Sequence, residues 1–434
     1  MRTRLLAATA VCTAIVCTAC AGGSSTATGD AAASPTPAAP AAAGWPAESK
    51  SGCGQSRPRA TIADADSGKA VVVDINSGKQ VGALDLAGKA KLASAGGDPL
   101  LVAAQGEADT VQLIDNGVRW ISHGDHDDTA HEAPRVLEGK GEGKKPSHAV
   151  AKDGTLAVFY DGTGEVDLIP VGKKAVGKPL TVERTLASGA PHHGVAVPMG
   201  EDTLLTLADE DTTQSLPSGL QVLGSDGARK QTFTGCPKLH GEIPLGKDAA
   251  LFGCSDGLVK LSRENGVWKD TKLAYPAKDD AAQRAGSFIG AEDGSAVIGD
   301  WGKRALLVID PAVGGTTEVK LPASLSAMAW DPFWNRGVIV TDDGQVHTLD
   351  PRNPKELRSL GVLDKQPRSE GKKAPKPAIA IGENRAYVTD PGSKQLVEVG
   401  LGENGPLAKK RTMTLDFTPG SIAVGGLDSE LDEG

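Results

Sequence analysis

Short apolar runs separated by polar turns recur along most of the chain. Residues 70–74 (Ala-Val-Val-Val-Asp) and 156–160 (Leu-Ala-Val-Phe-Tyr) are typical, and the second is followed by the turn pair Asp161-Gly162. Runs of this length that are rich in valine and aromatic residues are typical of β-strands. No window of the sequence sustains the 3.6-residue period of an amphipathic helix. The pattern therefore predicts an all-β protein.

One of these runs recurs at a nearly fixed interval. Copies of the stretch that begins at His148 start near residues 91, 148, 193, 240, 287, 326, 377 and 420. A repeat of about 40 to 50 residues that contains several strands is typical of a β-propeller blade. Dividing the 368 residues from 59 to 426 by eight gives about 46 per blade, close to the interval, whereas seven blades would need about 53. The sequence favours eight blades, with seven as the alternative.

The two ends of the repeat region complete each other. The last copy has room for one strand before the chain ends, and residues 59–87 contain strand-like runs that belong to no other copy. We therefore predict that N-terminal and C-terminal strands share one blade, which closes the ring and removes its free sheet edges. The propeller domain is expected to span residues 59–426 and to be followed by an acidic tail at 427–434.

The first 19 residues are predicted to be a lipoprotein signal peptide. A basic start, an apolar run over residues 5–16 and small residues before Cys20 give the expected order of segments. Cys20 would then carry the lipid, which anchors the protein to the outer face of the cell membrane. Plain secretion after cleavage nearby is the alternative.

Residues 20–58 are rich in alanine, proline and serine, cannot form a core and are predicted to be a disordered tether.

Charge and cysteine content add two constraints. The formal charge is −9 and no dense run of lysine and arginine occurs, which argues against a nucleic-acid partner. After the tether begins, the cysteines are Cys53, Cys236 and Cys254. In an oxidising exterior the last two, which lie 18 residues apart across one hairpin, are candidates for a disulfide. Cys53 is then an odd thiol, unless it competes for one of them.

Three histidines occupy one position of the repeat. His148, His193 and His240 are separated by 45 and 47 residues, and each begins a copy of the same run. The innermost strand of a propeller blade lines the central channel, so equivalent positions lie around one ring. Three neutral imidazoles at one depth suit Zn²⁺ and leave a fourth coordination position open. The alternative is that each histidine is a hydrogen-bonded core residue, an interpretation that the shared register disfavours.

The enlarged interval between the first two copies contains a second group of histidines. The nine residues from 123 to 131 contain His123, His126 and His131 together with three aspartates, of which Asp125 is the first. A mobile loop of this composition can complete a metal site or pass the metal in and out, so His123 and His126 are predicted as ligands. Asp125 and His131 are candidates for an accessory role. The alternative is an exposed acidic loop that contributes to solubility.

Two residues beside the predicted ligands are further candidates. Glu242 lies two residues after His240 on the same strand face, so it could bind the metal or, more in keeping with its position, orient a ligand. His192 alternates away from His193 and is expected to face the packing between sheets, where an accessory role is the remaining possibility.

These motifs resemble those of the AztD family of extracytoplasmic zinc metallochaperones. The resemblance rests on His-Gly-Asp-His at 123–126, Pro-Ser-His at 146–148, His-His-Gly-Val-Ala at 192–196 and Cys-Pro-Lys-Leu-His-Gly-Glu at 236–242. It covers the propeller from about residue 59 to 426. It implies a propeller that binds zinc through His123 or His126, His148, His193 and His240, with Cys236 and Cys254 joined by a disulfide.

The function expected from this resemblance is delivery of zinc, without catalytic turnover. The partner would be the solute-binding protein of an ABC-type zinc importer, and we expect the chaperone to be a monomer. A zinc-dependent hydrolase is the alternative, because a zinc ion that is held by three histidines and keeps one coordination position open also activates water. A scaffold that binds protein without metal is a third possibility. Histidine ligands alone do not distinguish Zn²⁺ from Cu²⁺ or Ni²⁺.

Overall fold

Eight antiparallel sheets follow one another along the chain, and each forms one blade of a propeller. The structure is a computed structural model that describes residues 58–427, apart from 98, 123–126, 209–215, 365–373 and 403–405. Within these residues the helical content is a single 3-10 turn at Lys173–Ala175, and no helix has the length and apolar character that a membrane span requires. The prediction of an eight-bladed all-β propeller is confirmed.

Blade one is shared by the two ends of the described chain, as predicted. Its strands are β1 Arg59–Asp64, β2 Lys69–Asp74, β3 Lys79–Asp85 and the last strand, β35 Pro419–Gly425. β1 lies between β2 and β35 and pairs antiparallel with both; Arg59 is opposite Asp74 on one side and Gly425 on the other. Hydrogen bonds between the two ends therefore close the ring.

Blade two has an interrupted outer edge. It contains β4 Lys91–Gly97, β5 Leu100–Gln105 and β6 Thr110–Asp115, and two short strands, β9 Arg135–Val136 and β10 Gly141–Glu142, both pair with β6. Between β6 and β9 the chain forms a separate hairpin of β7 Val118–Ser122 and β8 Asp127–His131. The surplus residues between the first two repeats are therefore an excursion from the end of β6.

Blades three to eight each contain four strands that are consecutive in the chain. Blade three has β11 Pro146–Lys152, β12 Thr155–Tyr160, β13 Glu165–Pro170 and β14 Arg184–Ala187. Blade four has β15 Ala196–Met199, β16 Asp202–Leu207, β17 Gly219–Leu223 and β18 Arg229–Phe233. Blade five has β19 Glu242–Leu245, β20 Ala249–Gly253, β21 Leu258–Glu264 and β22 Val267–Leu273. Blade six has β23 Phe288–Gly290, β24 Val297–Asp300, β25 Ala305–Asp310 and β26 Gly315–Lys320. Blade seven has β27 Leu325–Asp331, β28 Arg336–Thr341, β29 Gln345–Leu349 and β30 Leu357–Gly361. Blade eight has β31 Ile379–Gly382, β32 Arg385–Asp390, β33 Gln395–Gly400 and β34 Ala408–Thr414.

The inner strands form a closed ring around the channel. β4, β11, β15, β19, β23, β27, β31 and β35 each contact the next, and β35 returns to β4. We call the side on which these strands begin, with Lys91 and Pro146, the start face. The side on which they end, with Lys152 and Gly425, is the end face. Successive strands of a blade alternate in direction between these faces.

Packing between neighbouring blades explains the apolar runs in the sequence. In blade three, five of the six residues of β12 are buried, because this strand lies inside a sheet that neighbouring blades cover on both faces. Its Leu156 and Val158 pack with Leu100 and Val102 of blade two in one cluster. Each fully buried valine or leucine contributes about 1.5–3 kcal/mol to folding. Inner strands such as β27 are instead half-buried along most of their length, as expected beside a channel.

Candidate metal centre

Three histidines from three consecutive blades lie together on the start face. His148 is the third residue of β11, whereas His193 and His240 lie in the loops that lead into β15 and β19. One imidazole nitrogen from each histidine lies within 4.8 Å of the others, and all three residues are half-buried. The structure thus brings together the three residues that share one position in the repeat.

Local backbone features set the position of each histidine. A β-bulge interrupts the pairing of β11 with β12 just before His148. His240 donates its backbone N–H to the carbonyl of Gly253 at 2.9 Å, two residues before β19 begins. Gly241 follows with a φ of 83°, and a Cβ there would lie 2.3 Å from the carbonyl oxygen of Gly286. Only glycine can occupy this position without moving the neighbouring backbone.

The spacing of the imidazoles suits a tetrahedral metal ion. Nε2 of His148 lies 3.4 Å from Nε2 of His193. Ring centroids are 5.0 Å apart for this pair, 5.1 Å for His193 and His240, and 6.0 Å for His148 and His240. Two nitrogens bound to one tetrahedral zinc at about 2.0–2.1 Å would be about 3.3–3.4 Å apart. The first pair already has this separation, and the third ring lies beside both.

Each histidine is held through its other nitrogen. Nδ1 of His148 lies 3.0 Å from Oε1 of Glu242, and Nδ1 of His193 lies 2.6 Å from Oδ2 of Asp161. Nδ1 of His240 lies 2.8 Å from the carbonyl oxygen of Gly286. An acceptor at Nδ1 places the proton of a neutral imidazole there, which leaves the Nε2 lone pair available for a metal.

The surroundings also set the protonation of the cluster. Burial lowers the pKa of His148, but the charge and hydrogen bond of Glu242 outweigh it and leave the pKa raised. Burial lowers the pKa of His240 below the usual imidazole value. For Asp161, burial raises the pKa, but hydrogen bonds from His193 and Ser147 outweigh it and leave the pKa lowered. Asp161 is therefore a carboxylate at neutral pH and a strong acceptor for His193.

Sequence reasoning missed Asp161 and Gly286, which orient two of the three histidines. Asp161 follows β12 of blade three and accepts a hydrogen bond from the hydroxyl of Ser147 as well as from His193 of the next blade. Gly286 precedes β23 of blade six. The signal for Asp161 was present in the sequence, because an acidic residue follows the second strand of this repeat. The role of Gly286 is a backbone contact that no residue type reveals.

A disulfide lies beside His240. Cys236 and Cys254 are joined with an Sγ–Sγ distance of 2.02 Å, and both are buried. Cys236 lies in the loop that carries His240, and Cys254 directly follows β20, whose last residue, Gly253, binds the backbone of His240. The bond therefore ties the His240 loop to the end of β20. Cys20 and Cys53 lie outside the described residues.

Glu242 and His192 have separate roles. Glu242 orients His148, and its side chain is 7% exposed, whereas that of His148 is 21% exposed. His192 lies away from the cluster: its Nε2 is 2.8 Å from Oγ1 of Thr206, and its ring packs edge-on against Phe159. The expectation that His192 faces the packing between sheets matches its 7% exposure. An accessory role of His192 toward the metal has no support in these contacts.

The second group of histidines belongs to the hairpin of blade two. His123, Asp125 and His126 lie outside the described residues. The hairpin strands that flank them leave from the end of β6, which is on the end face, opposite the histidine cluster. His131 pairs with Val118 at the base of the hairpin, beside Arg59 and Gly426. His131 therefore lies on the face opposite the cluster, and the accessory role expected of it has no support in these contacts.

The chain is similar to a zinc chaperone in both sequence and structure. The zinc chaperone AztD of Citrobacter koseri is 28% identical over 371 residues, which are 85% of this chain and 86% of the relative. Its crystal structure has a TM-score of 0.76 at 27% identity and covers 85% of this chain and 98% of that chain. The apo structure of C. koseri AztD gives 0.75 with the same identity and coverage.

Other comparisons are less specific. Dihydro-heme d1 dehydrogenase NirN has a TM-score of 0.56 at 11% identity, a likeness that shows the fold alone. No protein-family model matches the chain. The match to AztD extends over most of both chains and agrees with the eight-bladed architecture. The chain is therefore similar to C. koseri AztD in sequence and in fold.

Proposed function

We propose that this protein is an extracytoplasmic zinc chaperone. It would hold Zn²⁺ at His148, His193 and His240 and transfer the ion to the solute-binding protein of an ABC-type zinc importer. The observation that carries the proposal is the arrangement of three imidazoles, each fixed through Nδ1, with one nitrogen of each ring within 4.8 Å of the others. The name of the relative, zinc chaperone AztD, agrees with this assignment.

The chemistry of the donor set supports zinc as the cargo. Imidazole nitrogen suits borderline-soft ions such as Zn²⁺, whereas Ca²⁺ and Mg²⁺ prefer oxygen ligands. Two carboxylates, Glu242 and Asp161, lie directly behind His148 and His193. They hold the rings in place and offset the charge of a bound dication.

The exposure of the cluster supports release by ligand exchange. The side chains of His193 and Asp161 are 31% and 23% exposed, so a partner can approach this part of the site from solvent. Three protein ligands leave one tetrahedral position for water or for an incoming donor. A ligand from the partner would take that position first, and the more exposed His193 would then detach before the less exposed His148.

The alternative of a zinc hydrolase finds less support at this site. A hydrolase needs a general base within hydrogen-bond reach of the metal-bound water. Glu242, the base suggested by the sequence, is instead bonded to Nδ1 of His148, and Asp161 is bonded to His193 and Ser147. Both carboxylates therefore serve to orient ligands. A chaperone needs only this positioning.

The location outside the cytoplasm is part of the proposal. A buried disulfide between Cys236 and Cys254 is typical of proteins in oxidising compartments. The signal peptide over residues 1–19, lipidation at Cys20 and a tether over 20–58 were inferred from the sequence. β1 begins at Arg59 on the end face, opposite the histidine cluster. We expect the chaperone to act as a monomer.

Zinc transfer between purified proteins tests the function. Protein loaded with one equivalent of zinc is mixed with a zinc-free solute-binding protein, the two are separated, and zinc is measured by mass spectrometry. We expect transfer to be faster than spontaneous loss of zinc to a dilute chelator, because exchange proceeds through a shared ion. Equal rates would show that the partner only captures free zinc.

A Cys20→Ser variant tests the anchor, since it should move the protein from the membrane fraction to the soluble fraction.

A further inference from the structure

A polar residue at or just after the end of the second strand holds the backbone where several blades begin. In blade six, Oδ1 of Asp300 accepts the backbone N–H groups of Gly286 and Ser287 at 2.6 and 2.8 Å. In blade seven, Oδ1 of Asp342 accepts the backbone N–H of Ser324 at 3.0 Å. These contacts fix the approach to the inner strand, and by themselves they are features of the fold.

In blade six the segment that is held also contacts the metal centre. The carbonyl oxygen of Gly286 accepts the hydrogen bond from Nδ1 of His240. A Cβ at Gly286 would lie 2.8 Å from that nitrogen, so the backbone and the imidazole are in close contact. Asp300 is further tied to the same segment because its own N–H donates to the carbonyl of Ser287 at 3.1 Å. The direction of the Gly286 peptide therefore depends on Asp300.

We infer that Asp300 is a positioning residue for His240, acts through Gly286, and raises the affinity of the cluster for zinc. The inference rests on the proposed function, because it assumes that the cluster binds zinc. Asp300 does not contact the imidazole by hydrogen bond, and its role is to fix the acceptor that does. His148 and His193 are held by side-chain carboxylates, whereas His240 depends on this indirect contact.

The role of Asp300 depends on the hydrogen-bond acceptor that its side chain offers, and not on its charge. Burial raises the pKa of Asp300, and the backbone N–H groups of Gly286 and Ser287 only partly offset this. An asparagine can offer the same Oδ1 acceptor to both N–H groups without the charge. The Asp300→Asn variant should therefore preserve the position of His240, whereas Asp300→Ala removes the acceptor.

Competition between the protein and a chelator for Zn²⁺ tests the inference. Loss of an outer hydrogen bond at a metal site typically lowers metal affinity about 10–100-fold, and we expect a loss in this range for Asp300→Ala. Asp300→Asn should stay within about threefold of the wild type on the same scale. Asp342→Ala is the matched control, because it removes the equivalent contact in blade seven, which provides none of the three Nδ1 acceptors of the cluster. It should leave zinc affinity unchanged.

Three outcomes would overturn the inference. They are unchanged affinity in Asp300→Ala, an equal loss in Asp342→Ala, and a loss in Asp300→Asn as large as in Asp300→Ala. Co²⁺ added in place of zinc supplies a second readout, since the visible bands of the ion should change in Asp300→Ala and in Gly286→Ala but not in Asp342→Ala. If the wild type itself bound no zinc, the proposed function would fail instead, so the two failures are distinguishable.

Discussion

Asp161 of blade three accepts a hydrogen bond from Nδ1 of His193, which leads into blade four, at 2.6 Å. The bond crosses the boundary between two blades, and each of the other two histidines is also held by an acceptor from a different blade. The histidine cluster is therefore a property of the assembled ring. Small changes in blade packing should reach the three histidines directly.

Removing the Asp161 carboxylate should weaken zinc binding. In Asp161→Ala, His193 loses its acceptor and its fixed tautomer, and we expect zinc affinity to fall about 10–100-fold. Calorimetric titration with a competing chelator measures the change. Glu165→Gln alters an exposed acidic residue four positions later and should bind zinc like the wild type. Equal affinity in Asp161→Ala and the wild type would remove Asp161 from the site.

Zinc affinity should fall as the solution is acidified, and Glu242 should set where this begins. His148 must be neutral to bind zinc, and its raised pKa means that protons compete from a higher pH than for an ordinary imidazole. In Glu242→Gln the pKa of His148 should drop, so the pH at which binding is lost should also drop.

The same variant should bind zinc more weakly above that pH, because a neutral amide is a poorer acceptor for Nδ1. Binding isotherms between about pH 5 and 8 would show both effects in one series. Curves for wild type and Glu242→Gln that differ by a constant factor at every pH would contradict the assigned role of Glu242.

The disulfide should stabilise both the fold and the His240 loop. Closing a loop with a sequence separation of 18 residues contributes about 3 kcal/mol to the free energy of unfolding. The Cys236→Ser, Cys254→Ser double variant should therefore unfold at lower denaturant concentration and bind zinc less tightly. Denaturant unfolding and zinc titration measure the two effects. A loss of stability with unchanged zinc affinity would show that the loop is held without the bond.

Zinc should stabilise the folded protein through linkage. Free zinc at 100 times the dissociation constant adds about 2.7 kcal/mol to the free energy of unfolding, provided that the unfolded chain does not bind zinc. Thermal unfolding with zinc and with excess chelator should therefore differ by several degrees. Identical transitions would favour a scaffold that functions without metal.

The sequence predicted the fold well because blade packing leaves a repeated pattern. Middle strands such as β12 are covered on both faces, so their apolar runs recur at the blade interval. The alignment of His148, His193 and His240 followed from the same interval, and the structure places these residues together. Closure between β1 and β35 was also predictable, because the last repeat lacked strands that the N-terminal segment supplies.

What the sequence did not reveal depends on strand direction and on backbone contacts. His123 and His126 were predicted as ligands from the histidines and aspartates of the enlarged interval, but neither its composition nor its length shows from which face the segment leaves the propeller. Three strands precede the hairpin in blade two, and an odd number of alternating strands carries the chain to the end face. Counting directions would have predicted this. The contact of Gly286 with His240 could not be predicted, since it is made by a carbonyl group.

Zinc stoichiometry in two adjacent variants tests the central claim most directly. His192 and His193 are neighbours in sequence, yet His193 lies in the cluster and His192 is bonded to Thr206. Wild type, His192→Gln and His193→Gln are dialysed to equilibrium against a low concentration of free zinc and analysed by mass spectrometry. The account predicts that His193→Gln loses one tightly bound zinc per chain while folded His192→Gln retains it. Retention of that zinc by His193→Gln would contradict the three-histidine centre.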